Sequence, residues 1–210
     1  MNGALDRLVR STPLLWRGAD RCDETLPTIP SGFDPLDAAL PGGGWPANVL
    51  MEMVVPAWGI GELRLLLPLM RALQRQGGWL VWITPPYLPY APALADLGID
   101  LSRVLLIEPK RDRDVLWSME KALRASSSGM VLAWPPKLNH NQIRRLQLAA
   151  QAGQSLGVVL STLDHGASPA ALRLGLKPVE NGVRVRLLKA RGACGQDEIA
   201  LHWPAEWRHD

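Results

Sequence analysis

Two cysteines and four histidines are all that this chain of 210 residues offers to thiol or imidazole chemistry, and none is grouped with another. Cys22 and Cys194 stand alone with no C-x-x-C, which excludes a thiolate metal site and leaves two inert thiols in a reducing cytoplasm as the expectation. His140, His165, His202 and His209 have no ligand spacing and are read as structural or solvent-facing. No run of eighteen apolar residues occurs, so no membrane span is expected. Met1 to Arg10 carries Asp6, Arg7 and Arg10 among too few apolar residues for a signal peptide. Charge is modest: 20% of residues, net +3, which permits an acidic partner or nucleic acid and demands neither.

Phenylalanine and tyrosine are scarce as well, one and two residues against nine tryptophans. Trp79, Trp82, Trp117 and Trp134 fall in expected strands or helices and are read as core. Trp203 and Trp207, near the C-terminus, either fold back on the domain or are offered to a partner.

An apolar fraction of 47% over this length suits one α/β domain. Strands are expected near Val49 to Val55, Gly78 to Ile83, Val104 to Glu108, Met130 to Trp134 and Leu156 to Thr162, with helices between them, the alternation of a parallel sheet with crossovers. Residues 61 to 76 place Leu63, Leu66, Leu67, Met70 and Leu73 on one face, with a bend expected at Pro68. Residues 112 to 125 turn Val115, Met119 and Ala122 inward, and residues 139 to 152 turn Ile143, Leu146 and Ala150 inward. Residues 183 to 189 and 199 to 203 alternate about a turn, which reads as an antiparallel hairpin added to the sheet.

The first expected crossover contains Pro56-Ala57-Trp58-Gly59-Ile60-Gly61-Glu62-Leu63. A phosphate-binding loop reads G-x-x-x-x-G-K-[ST], its Lys neutralising phosphate and its hydroxyl holding Mg2+. Aligned on Gly61, Pro56 replaces the first glycine, Glu62 the lysine and Leu63 the hydroxyl. At about 4 Å and an effective dielectric near 20, an anion in place of that cation turns a gain of about 4 kcal/mol into a similar loss. The loop and the segment before it resemble RecA-like ATPases, and that resemblance implies catalytic and metal-binding acids after two later strands, where this chain has Thr84-Pro85-Pro86 and Trp134, so no ATP hydrolysis and no cofactor are expected. Trp58 is a candidate to fill the space of the missing phosphate.

The approach to this loop, Thr28 to Leu40, Gly42-Gly43-Gly44-Trp45-Pro46 and the strand Val49 to Val55, resembles RecA. That resemblance implies a RecA-like three-layer α/β fold with a mostly parallel central sheet, a C-terminal antiparallel hairpin and a degenerate P-loop. It divides the chain into an N-terminal arm (1–27, with a short helix at Gly3 to Arg10), a core domain (28–203) and a C-terminal tail (204–210). The segment from Leu163 to Pro169, followed by a helix near Ala170, is too short for a RecA-type DNA loop, so DNA contact is expected to be weak or indirect.

Further motifs, Pro85-Pro86-Tyr87, Asp114 to Arg124, Val131-Leu132-Ala133-Trp134 and Arg144 to Ala150, resemble the ImuA family of RecA-like accessory proteins in bacterial translesion DNA synthesis. The resemblance implies a non-enzymatic, SOS-induced adaptor for an ImuB-type inactive polymerase homologue and, through it, for an error-prone replicative-type polymerase, with RecA as a further partner. The alternative, from the shared Leu-Ala-Trp strand and Arg-Leu-Gln-Leu-Ala-Ala helix, is SulA, the cell-division inhibitor that binds FtsZ. Candidate partner-binding residues are Lys189 and Arg191, at the positions of basic residues in the RecA hairpin, with Arg144, Arg145, Trp203 and Trp207. For the charged ones a solvated strand or helix face is the competing reading.

Overall fold

A computed structural model describes residues 27–164, 166–190, 198–204 and 207, so the expected helix at Gly3 to Arg10 lies outside the described residues. In chain order the elements are β1 (Thr28–Ile29), α1 (Asp34–Ala39), β2 (Trp45–Pro46), β3 (Leu50–Val54), α2 (Glu62–Arg75), β4 (Trp79–Ile83) and α3 (Ala91–Asp96). A 3-10 turn, Leu101–Arg103, leads to β5 (Val104–Ile107), α4 (Asp112–Arg124), β6 (Ser128–Ala133), α5 (His140–Gly153), β7 (Leu156–Ser161), β8 (Leu172–Val179), β9 (Gly182–Ala190) and β10 (Glu198–His202).

The main sheet has eight strands in the order β10-β9-β8-β3-β7-β6-β4-β5. Parallel pairing runs from β8 through β3, β7, β6 and β4 to β5, while β8/β9 and β9/β10 are antiparallel. Alternation along each strand sends side chains to opposite faces. Met51 and Met53 meet α2, and Leu50 meets the layer made by α4 and α5. On the α2 side, Leu65, Leu66, Leu69, Met70 and Leu73 pack on Trp45, Trp82, Leu160 and Leu174. On the other side, Val115, Met119, Leu123, Ile143 and Leu146 pack on Val81, Val131 and Val159.

Local chemistry fixes the helices. Asn139 accepts from the Gln142 N–H at 2.9 Å while the Gln142 side chain accepts from the Asn139 N–H at 2.8 Å, a reciprocal cap that starts α5. Gln147 on the same helix accepts from the Leu50 N–H at 3.0 Å and ties α5 to β3. Gly153 lies so close to the end of α4 that a Cβ there would collide with the Leu123 carbonyl. Helix α2 continues through Pro68, whose ring packs against Gly32; φ is +83° there, and a Cβ would come within 2.7 Å of the ring.

Two sequence expectations are corrected by this architecture. The RecA-like arrangement, a mostly parallel sheet with a P-loop and an added hairpin, gives way to an eight-stranded mixed sheet in which three strands form an antiparallel meander. The extra strand is β8, Leu-Arg-Leu-Gly-Leu-Lys-Pro-Val, which occupies the region where a helix near Ala170 was expected. Leu172, Leu174 and Leu176 alternate with Arg173, Gly175 and Lys177, but Gly175 and Pro178, both poor strand residues, weakened the strand signal.

Candidate protein-interaction surface

The loop after β3 is closed by its own side chain. Glu62 Oε1 accepts from the Gly59 N–H at 2.8 Å, and Glu62 is buried in the first turn of α2. Behind it Gly61 has φ +108°, and a Cβ there would collide with the Trp203 ring. The amide that a phosphate-binding loop would present is thus held by an internal carboxylate. Trp58 is half-buried and packs against the α2-side core, so Glu62, rather than Trp58, takes the Gly59 amide.

The sequence-derived candidates do not converge. Trp203 and Trp207 turn into the core and stack edge-on against Phe33, with ring centroids 6.1 and 6.2 Å away. Arg71 sits 5.9 Å over Trp207. Lys189, on β9, donates to the Ser168 carbonyl at 2.6 Å. Arg191 lies outside the described residues. Arg144 is exposed on α5, and its neighbour Arg145 reaches Glu120 of α4 at 2.6 Å. Arg145, with Arg124 at 3.3 Å, holds the Glu120 carboxyl below its usual range, the Arg145 hydrogen bond contributing most.

An ion network around a buried arginine escaped the sequence reading. Arg173 of β8 lies 3.0 Å from Glu52 of β3 and 2.7 Å from Asp164, with its side chain 8% exposed. It lines a cavity of about 250 Å³ at the C-terminal ends of β3 and β7. Its geometry ties the antiparallel half of the sheet to the parallel half. Glu52 is remote in sequence from Asp164 and Arg173, which is why spacing alone gave no signal. Among the described residues no three His, Cys, Asp or Glu side chains are grouped to hold a metal ion, and no helix is long and apolar enough to cross a membrane.

The exposed apolar side chains collect elsewhere. Of ten large hydrophobics exposed among the described residues, eight lie between Trp79 and Trp117: Trp79, Tyr87, Leu88, Tyr90, Leu101, Leu105, Leu106 and Trp117. Tyr87, Leu88 and Tyr90 belong to the segment from β4 to α3, while Leu105 and Leu106 sit on the terminal strand β5. Trp117, expected in the core, is 61% exposed on α4 and forms an open groove with Ile107 and Pro109. The correction was available from helical phase: Trp117 is two positions, about 200°, from buried Val115.

The model of the cell division inhibitor SulA family matches residues 52–157, half of the chain and the stretch that holds this surface. A SulA of Edwardsiella piscicida is 34% identical over 107 residues, which span 51% of this chain and 64% of that relative, less than two thirds of its length. A SulA of Yersinia enterocolitica is 35% identical over 119 residues, 57% of this chain and 71% of the relative. The crystal structure of SulA from Pseudomonas aeruginosa aligns with a TM-score of 0.43 at 30% identity, covering 53% of this chain and 98% of that one. These matches correct the ImuA assignment, and with it the role in translesion synthesis and the ImuB-type, polymerase and RecA partners it implied. Two of the four motifs that suggested ImuA, the Leu-Ala-Trp strand and the helix at Arg144, are ones the sequence reading already shared with SulA.

Proposed function

The chain belongs to the SulA family of cell division inhibitors, and on that premise we propose that it arrests division in the cytoplasm by binding FtsZ, as a protein ligand and not as an enzyme. The observation that carries this reading is the concentration of exposed apolar side chains between Trp79 and Trp117, inside the residues that match the family. Large apolar side chains left in water at this density mark a candidate protein interaction site. Tyr and Trp, which supply four of the eight side chains, are among the residues that anchor interfaces. The non-enzymatic part of the reading is supported by Glu62, which occupies the one loop of nucleotide-binding spacing with its own carboxylate.

Induced expression in a rod-shaped bacterium tests the proposal. Long unseptated filaments are expected, together with loss of FtsZ rings at midcell. Cells that continue to divide at normal length, with the protein present in soluble form, overturn it.

A further inference from the structure

We propose that the cavity at the C-terminal ends of β3 and β7 binds a small monocarboxylate with an apolar body. None of its lining residues lies between Trp79 and Trp117, so the site is separate from the surface assigned to FtsZ. The chain leaves β3 toward α2, whereas the segment after β7 crosses the side of the sheet covered by α5. Strands whose connections diverge in this way open a crevice at their carboxyl ends, where ligands of α/β sheets bind. At about 250 Å³ the space equals about eight water molecules at about 30 Å³ each, which limits the ligand to one ring or a short chain. Val54, Leu138, Ile143 and Val159 give it apolar walls, which suit an apolar body.

The polar groups select a single negative charge. Arg173, in the wall, is more than nine-tenths buried. Its Nε faces Glu52 at 3.0 Å without hydrogen-bond alignment, and its Nη1 donates to no described residue. A guanidinium donor left open in the wall of a cavity calls for an acceptor. Lys137, exposed at the rim, forms no ion pair among the described residues, and Lys189 donates to the carbonyl of Ser168 in the same lining. Against Lys137, Lys189 and Arg173 stand Glu52 and Asp164, both paired with Arg173. One positive charge remains, which matches a carboxylate and not a doubly charged phosphate. Helix α5 adds to it. Asn139 and Gln142 satisfy one another, and between them the His140 and Asn141 N–H groups have no partner among the described residues. Free amides at a helix N-terminus accept an anion, and His140 lines the cavity.

The test titrates the purified full chain with sodium benzoate and follows its amide NMR shifts, with benzamide as the neutral probe of the same shape and Lys137→Ala as the variant. Benzoate is expected to give saturable shifts of the His140 and Asn141 amides. Benzamide is expected to bind about tenfold more weakly or worse, because it carries no charge for the cations. Lys137→Ala, at an exposed position that leaves the fold intact, is expected to weaken benzoate severalfold while the same amides still move. Absence of saturable shifts at His140 and Asn141, equal affinity for benzoate and benzamide, or unchanged benzoate affinity of Lys137→Ala overturns the site. None of these outcomes alters the inhibitor reading, which FtsZ binding tests separately.

Discussion

Strand β10, at one edge of the sheet, carries Glu198 within 3.7 Å of Lys177 and 3.5 Å of Arg184, and the chain then turns Trp203 into the core; β5, at the other edge, presents Leu105 and Leu106 to water with no charge among its four residues. Among the described residues, the same sheet therefore has one edge protected against pairing and one left open. A bare apolar edge invites aggregation, so its retention argues for a partner that covers it. The β10 side is organised for stability: Phe33, Trp203 and Trp207 pack as a cluster, and Trp203 closes the loop at Gly61.

If the edges differ in this way, substitutions on the β10 side reduce stability and those on the β5 side reduce binding. The largest stability effect is expected from Trp203→Ala, about 3–5 kcal/mol by chemical denaturation, through the cavity left against Phe33 and Gly61. Arg173→Ala, which leaves the half-buried Glu52 without its cation, is expected to cost about 2 kcal/mol or more in the same measurement. Trp117→Ala on the β5 side should lose about 2 kcal/mol of FtsZ affinity by titration calorimetry. Its unfolding free energy should move by less than about 0.5 kcal/mol, because the ring is mostly in water. Ala200→Lys on β10 serves as the control and should leave affinity unchanged within about 0.5 kcal/mol. If it weakens binding as much as Trp117→Ala, the distinction between the edges is lost.

The smallest effect concerns acid. Arg145 and Arg124 lower the folded-state pKa of Glu120 from its ordinary 4.5, so their contribution is present above that pH and is lost as pH falls through the depressed value. Glu120→Gln should remove up to about 1 kcal/mol of stability at neutral pH, an amount limited by solvent screening of the arginines, and flatten the decline below the ordinary carboxylate range. Equal acid sensitivity of the two proteins in pH-dependent denaturation would contradict the assignment.

Much of the fold was legible from periodicity. Helices α2, α4 and α5 fall within a residue or two of their apolar repeats, and the five strands expected in the parallel part occupy their predicted places. The missed strand β8 shows where local pattern fails: Gly175 and Pro178 hide a strand whose position depends on pairing with β3 and β9. The interaction surface was less legible. Trp117 was readable from helical phase, yet the exposure of Leu105 and Leu106 follows from β5 lying last in the sheet, which strand order decides and sequence spacing does not. Conversely, Trp203 was attractive as a partner residue because it lies near the C-terminus, and only the return of β10 along β9 brings it onto Phe33. The ion network of Arg173 likewise depends on bringing β8 beside β3.

Sedimentation of FtsZ polymers at increasing concentrations of wild-type and Trp117→Ala protein separates a binding face around Trp117 from a merely structural one. Wild type is expected to deplete the polymer in proportion to the protein added, while equally folded Trp117→Ala leaves most of it in the pellet. Polymer unaffected by wild type, or depleted equally by both proteins, would contradict it.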